Sequence, residues 1–273
     1  MEIRDCRPRT AGTAPIAALL VLALLTSSGA AHGDFTLASQ NCLHLGWGKQ
    51  AYQTKKNNLL KHFYKNVGYD VIVLQEVMRQ ADIGLMNPGD YWVTNTIVQG
   101  ASTYKEAYTF LVSKAKFTTL RAAPTARIST TPGFSRPPAG IRIREGNSCT
   151  WVLAYHAIFG RKADRLKEVK KVREVYDEFS KLDRACQHVV IAGDWNLAAK
   201  EIEDFFGNMN IDVVPTERTS LNPKGERSEP YDHCLATAKV INASNVLMPS
   251  IGTKRWRKEV SDHLGIGCRI KTR

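Results

Sequence analysis

Twice in this chain a strand-like apolar run, a stretch of helical spacing and a second buried run follow one another. Both times the runs end in polar residues. The first unit opens with Phe35 to Gln40, an alternating FTLASQ segment that leads into Asn41. Lys49 to Val67 then places Leu59, Leu60, Phe63 and Val67 at helical intervals. Asp70 to Leu74 (DVIVL) is a continuous apolar run of the kind that fills a buried strand, and it ends at Gln75-Glu76. The second unit repeats the order. Thr150 to Tyr155 ends at His156, Lys162 to Leu182 reads as a helix, and His188 to Ala192 ends at Gly193-Asp194-Trp195-Asn196. Asn41 and Glu76 are 35 positions apart, and His156 and Asp194 are 38. Parallel crossovers of this kind are right-handed, so both strands of a unit deliver their carboxyl ends to one edge. Ligands of such sheets bind at that edge.

The remaining segments fit around this frame. Tyr91–Val98, Ala107–Ser113, Ala139–Arg144, Tyr231–Thr237 and His263–Ile270 read as shorter strands, separated by Pro- and Gly-rich loops such as Thr131–Gly140 and Asn222–Pro230. Two sheets packed together with helices outside would bury these faces. The second helical stretch sets Leu166, Val169, Val172, Tyr176, Phe179 and Leu182 on one side and Lys167, Lys170, Lys171 and Arg173 on the other.

The amino-terminal residues stand outside the fold. Arg4, Arg7 and Arg9, then the apolar run Ile16 to Leu25, then small residues to Ala31 make a secretory signal with cleavage after Ala31 or Gly33. The run is too short to cross a bilayer, which takes roughly 20 apolar residues. We expect residues 1–33 to be a cleaved signal and residues 34–273 a single domain in a secreted or periplasmic protein with no transmembrane segment.

The whole chain carries +12, of which residues 1–33 contribute +1, leaving +11 on the mature part. A basic exported protein is suited to polyanions: nucleic acid, anionic lipid or polysaccharide. Cys42, Cys149, Cys186, Cys234 and Cys268 form no CxxC pair, which argues against zinc. Cys149 and Cys186 open their strands seven and eight residues before His156 and Asp194. As starts of parallel neighbours they would lie roughly 5 Å apart, within disulfide reach.

Read singly, each polar motif has an ordinary explanation. His156 on an apolar strand is an everyday core histidine, and Ser261-Asp262-His263 is a short, common string. Together they form an inventory for metal-assisted phosphate ester cleavage. Glu76, Asp194 and Asp262 suit a hard cation such as Mg²⁺, with Ca²⁺ or Mn²⁺ as alternatives. Asn41 and Asn196 add neutral amides, and His156 and His263 can act as acid, base or positive clamp.

The ordered set Asn41, Gln75-Glu76, His156, Gly193-Asp194-Trp195-Asn196, Tyr231-Asp232 and Ser261-Asp262-His263 resembles the endonuclease/exonuclease/phosphatase superfamily across residues 34–273. Tyr104-Lys105-Glu106 with Tyr108 to Leu111, and Phe134-Ser135-Arg136 with Pro138, are similar to secreted deoxyribonuclease I. The stretch from Ser135 to Ile143 also resembles the catalytic subunit of cytolethal distending toxins. The resemblance implies a four-layer α/β/β/α sandwich. It implies Glu76 as main metal ligand with Asn41 and Asp262, and Asp194 and Asn196 beside the scissile phosphate. It pairs His156 with Glu106 and His263 with Asp232, sets Arg136 on DNA phosphate and lays Tyr104 in the minor groove. Where deoxyribonuclease I carries arginines two residues beyond the asparagine and the glutamate, this chain has Leu43 and Met78, with His44 and Arg79 next along.

Lys254-Arg255-Trp256-Arg257-Lys258 stands just before Ser261-Asp262-His263. Read as a loop, it is expected to neutralise phosphates with Lys254, Arg255 and Arg257 and to stack Trp256 on a base or sugar, the alternative being a solvated loop with a buried Trp256. The leading expectation is a secreted, metal-dependent DNA endonuclease. The alternatives are a phospholipid or phosphoinositide phosphohydrolase or toxin subunit on the same scaffold, with partner subunits left open, and a basic DNA-binding protein without turnover. The last would be expected to lack metal or histidine positions, and all are present.

Overall fold

The computed structural model describes residues 33–65, 68–78, 89–100, 105–145, 148–186, 188–207, 209, 211–214, 217–237 and 239–272. They belong to one compact unit, His32–Arg273. The expected signal segment, apart from Gly33, and the residues Tyr104 and Arg79 lie outside the described residues.

The first unit is β1 (Phe35–Leu45), α1 (Lys49–Leu59) running into a π-helical turn at Leu60–Lys65, and β2 (Val71–Met78). Then come β3 (Tyr91–Asn95), β4 (Glu106–Ser113), β5 (Ala126–Ile128) and β6 (Ala139–Glu145). The second unit is β7 (Ser148–His156), α2 (Lys162–Val169), α3 (Val172–Leu182) and β8 (His188–Asp194). The chain closes with α4 (Ala199–Phe206), β9 (Asp212–Val214), β10 (Asp232–Ala236), β11 (Lys239–Leu247), α5 (Thr253–Glu259) and β12 (Gly265–Lys271). Two six-stranded sheets result, in the orders β11-β12-β1-β2-β4-β3 and β5-β6-β7-β8-β10-β9.

Three apolar cores account for four layers. Between the sheets, Leu37, Val73, Phe110 and Ile266 meet Ile141, Val152, Val190 and Cys234. Outside the first sheet, Tyr52, Leu59, Phe63 and Trp256 cover Ala38, Ile72 and Leu111. Outside the second, Val172, Val175, Tyr176, Phe179 and Ile202 cover Leu153, Val189 and Ile191. Strands buried on both faces have no polar side to show, which is why DVIVL and HVVIA read as unbroken apolar runs. The fold is the expected α/β/β/α sandwich.

Three local expectations need correcting. The stretch from Lys162 to Leu182 is two helices, because the Lys171 amide bonds to the Glu168 carbonyl and tightens the turn. That break re-aims the chain so that Val169, Val172 and Val175 are all fully buried. The basic stretch at 254–258 is helical, in α5, and not a loop. The alternating-period reading also passed over β5, β9, β11 and α4, which are short or lie at sheet margins.

Both sequence units pair in parallel, β1 with β2 and β7 with β8. Cys149 and Cys186 stand where β7 and β8 begin and form a disulfide, with Cα atoms 4.4 Å apart. On the loop-entropy account, closing 37 positions restricts the unfolded chain by roughly 4 kcal/mol. Replacing both cysteines with serine should therefore cost about 2–4 kcal/mol, read as a lower urea midpoint at constant slope. An unchanged midpoint, with both thiols titrating in the native protein, would contradict the crosslink.

Candidate active site

The parallel register sets the site. Asn41 on β1 stands opposite Gln75 on β2, and His156 on β7 opposite Asp194 on β8. The antiparallel neighbours β4 and β10 begin where these strands end, so Glu106 and Asp232 arrive at the same edge. The edges of the two sheets meet here. The Asn41 amide nitrogen on the first sheet donates to Glu76 Oε1 and, across the interface, to Asp194 Oδ2, each at 3.0 Å.

Glu76 reaches this position through a bulge. The pairing of β2 slips against β4 between Leu74 and Val77, and β1 slips against β2 between Asn41 and Leu45. Regular alternation would send Gln75 and Glu76 to opposite faces. In the bulge Gln75 is buried and donates to Ser39 Oγ, while Glu76 turns into the cleft with φ 55°. Leu43, His44 and Asn196 also have left-handed backbones. These are all the described non-glycine residues with positive φ, and all four line one cleft of about 610 Å³. Such strain costs of order 1–3 kcal/mol per residue and collects at functional sites.

Gly193 has a different job. A Cβ there would fall inside the Tyr155 carbonyl oxygen, so β7 and β8 could not approach as they do. His156 and Asp194 are the next pair in that register. Gly193→Ala should therefore separate the two, cutting phosphodiester cleavage about 10²-fold, the order that a roughly 1 Å misplacement costs. Normal turnover by a folded Gly193→Ala protein would show that this register does not matter.

Each histidine is held by a carboxylate from the other sheet. His156 Nδ1 lies 2.7 Å from Glu106 Oε1, and His263 Nδ1 lies 2.7 Å from Asp232 Oδ2. Both Nε2 atoms face Asp194 Oδ2, at 3.8 Å and 3.5 Å respectively. Burial works against charge on both rings. Glu106 outweighs it at His156, and Asp232 with Asp194 outweighs it more strongly at His263, so both imidazoles are shifted upward. Burial likewise raises the Glu106 carboxyl, but His156 and Arg136 bring it below the ordinary value.

The supporting bonds are specific. His263 is fixed through its amide to Ser261 Oγ, which itself donates to the Asn41 carbonyl at 2.5 Å. Asn196 donates to the Ala157 carbonyl, and its amide bonds to Asp194 Oδ1. Arg136 lines the cleft but is committed inward, bonding to the His156 and Ala157 carbonyls at 3.3 and 2.7 Å, with Glu106 at 3.6 Å. In this geometry it positions His156; the phosphate contact drawn from the resemblance would need those bonds to be shared.

The metal expectation named Glu76, Asn41 and Asp262, and all three line the cleft. Glu76 and Asp194 have no lysine or arginine in ion-pair range among the described residues; the ion-pair contacts they do make are to histidines, and the carboxylates Glu106 and Asp232 stand close by. Carboxylates this enclosed need positive charge, and an oxygen-rich donor set suits a hard divalent cation. The residues therefore fit such an ion.

The stretch at 254–258 does not meet the cleft as expected. Lys254, Arg255, Trp256 and Arg257 are absent from its lining. Trp256 is 1 % exposed and donates from its indole nitrogen to the His263 carbonyl, so it supports the histidine and is not a stacking surface for substrate. Its burial follows from α5 being a helix with one apolar position facing the first sheet. Arg255 pairs with Glu259, and Arg257 approaches Asp262 at 3.9 Å. Of two further cleft residues, the sequence named His44 only as standing beside the place of a missing arginine and did not single out Phe159. His44 holds Glu76 Oε2 through its backbone amide at 2.9 Å and its Nε2 at 3.2 Å, which only the bulge permits. Phe159 stands 82 % exposed at the cleft mouth, beside Gly160.

The family model described as Endonuclease/Exonuclease/phosphatase family matches residues 38–263. A protein named deoxyribonuclease, from Thioalkalivibrio sp. (strain K90mix), is 29 % identical over 274 residues, covering 90 % of this chain and 73 % of that one. Among solved structures, humanized TDP2 of D. rerio superposes with a TM-score of 0.63 at 15 % identity, covering 88 % of this chain and all of the other. The human Nocturnin catalytic domain, solved with a bound sulfate anion, gives 0.60 at 14 % identity, covering 87 % of this chain and 94 % of the other. With the sandwich fold, the two histidine–carboxylate pairs and a match over nearly its whole described length, the chain belongs to the endonuclease/exonuclease/phosphatase family.

Proposed function

We propose that this protein is a secreted, divalent-metal-dependent endonuclease that hydrolyses DNA phosphodiester bonds. The observation that carries the reading is the convergence of two imidazoles from different sheets on one carboxylate, Asp194, in a cleft that also holds Glu76, Asn41 and Asp262. Hydrolysis forms a bond from a water oxygen to phosphorus and breaks the bond to the leaving oxygen. One proton must leave the water and another must reach the leaving group. The carboxylates on Nδ1 fix both tautomers and leave each Nε2 free to hold or pass a proton inside the cleft. Asn196 and Asn41 line the cleft and hold its carboxylates and backbone in place without adding negative charge. A divalent cation held by Glu76, Asn41 and Asp262 would neutralise charge on the phosphate as a Lewis acid. The net charge of +11 on residues 34–273 and the relative named deoxyribonuclease support DNA as the polymer.

The exposed Phe159 favours a second reading, a phospholipid or phosphoinositide substrate, since an aromatic at the mouth of a cleft can enter a lipid surface as well as stack on a base. One experiment separates the two. Protein starting at residue 34 is given supercoiled plasmid and a phosphoinositide set, each with Mg²⁺ and with EDTA. Nicking that needs Mg²⁺ is the expected result. Cleavage in EDTA contradicts the metal requirement, and phosphate release from lipid alone moves the substrate to the second reading.

A further inference from the structure

We propose that a groove running from the cleft to the junction of α2 and α3 is a phosphate track that holds the DNA backbone beyond the scissile bond. This rests on DNA being the substrate. Three depressions run together. The catalytic cleft shares Ser135 and Ile158 with a middle one, and the middle one shares Lys167 and Lys171 with an outer one that adds Lys170 and Arg173. A path that leaves the catalytic cleft therefore ends among four cations.

The floor of this path is rigid. Glu168 is buried on α2 and accepts from the Ser135 amide at 2.7 Å, the Ile158 amide at 2.8 Å and the Tyr155 hydroxyl at 3.1 Å. Lys171 lies across Gly133, whose missing side chain leaves room for it, and its ammonium group reaches the Pro132 carbonyl at 3.3 Å. The helix break gathers the charges. In an unbroken helix Arg173 would stand about 120° from Lys167 around the axis, whereas here both line the outer depression. None of the four cations is in an ion pair among the described residues. Asp164 on the middle stretch is taken by Arg161 at 2.8 Å, and Glu174 and Asp204 sit in the outer depression. A polymer whose phosphodiester occupies the cleft must continue out of it, and this exit leads to a depression lined by four cations against two carboxylates. A lipid headgroup has no such continuation, which is why DNA is favoured over a membrane.

The test is a variant in which Lys167, Lys170, Lys171 and Arg173 are all changed to Gln, together with Lys170→Gln alone at an exposed position. Binding of a labelled duplex is followed by anisotropy in EDTA over a range of salt. Each phosphate contact contributes about 0.9 to the slope of log affinity against log salt. The quadruple variant should lose roughly 3.6 units and Lys170→Gln about 0.9. Hydrolysis of bis(p-nitrophenyl) phosphate with Mg²⁺, which occupies only the cleft, should be unchanged. An unchanged slope overturns the track, as does an equal loss of small-diester hydrolysis, which would put the effect in the cleft. Loss of binding to phosphatidylserine vesicles with an intact DNA slope also overturns it, assigning the surface to a membrane. A wild type that nicks no plasmid, beside a variant with the reduced slope, refutes the hydrolase reading and supports the track.

Discussion

Glu76→Gln is expected to lower Mg²⁺-dependent plasmid nicking by roughly 10³-fold or more, with the fold intact. A cation at a phosphate is worth several kcal/mol of transition-state stabilisation, and each 1.4 kcal/mol or so is a tenfold change in rate. The amide keeps the shape of the side chain and removes the charge that holds the ion. It also turns one acceptor into a donor. Glu76 accepts from Asn41 and from the His44 amide on its two oxygens, so one of these bonds must be lost. That local cost is about 1–3 kcal/mol, small enough to leave a disulfide-linked domain folded. Two readouts keep the outcomes apart. Thermal melting reports the fold, and calorimetric titration with Mg²⁺ reports the ion. A folded Glu76→Gln protein that binds Mg²⁺ and nicks DNA normally would remove Glu76 from the metal site.

Removing either histidine should reduce single-turnover nicking at least about 10²-fold, the usual scale for one acid–base group, while DNA affinity changes much less. His156 and His263 are 107 positions apart in the sequence, yet each presents Nε2 to the same Asp194 oxygen. Groups that serve one phosphate act as a unit, so His156→Ala/His263→Ala should be little worse than the poorer single variant. Glu106→Gln and Asp232→Asn leave the imidazoles in place and loosen their tautomers, and milder losses of the same kind are expected. Affinity survives because no lysine or arginine is touched. His263→Ala that nicks at the wild-type rate would exclude that residue from the chemistry, whatever the 2.7 Å contact with Asp232 implies. Additive losses in the double variant would instead mean two separate tasks.

The sequence by itself determined the architecture and the identity of the polar residues at its edge. Short β-branched apolar runs such as DVIVL and HVVIA read as strands covered on both faces, and a parallel pair joined by a helix brings its two carboxyl ends together. Asn41 opposite Gln75, His156 opposite Asp194, and Cys149 beside Cys186 follow from that geometry and from spacing alone. The partners Glu106 and Asp232 came from the resemblance, because residues 50 and 31 positions from their histidines carry no local signal. Trp256 shows the opposite failure. Flanking cations favoured a substrate contact over the alternative of a buried indole, and the α5 helix packed against the first sheet buried it. Period-two alternation cannot announce a bulge, so it could not show that Glu76 leaves the core, that His44 arrives beside it, or that four left-handed residues line one cleft. A helix break likewise has no signature in a charge pattern: the spacing already grouped Lys167 and Arg173 on one side, but the division into α2 and α3, with Val169, Val172 and Val175 all buried, was visible only in the structure. Spacing fixes which residues share an edge; the direction each side chain takes there depends on bulges and breaks imposed by burial at distant positions.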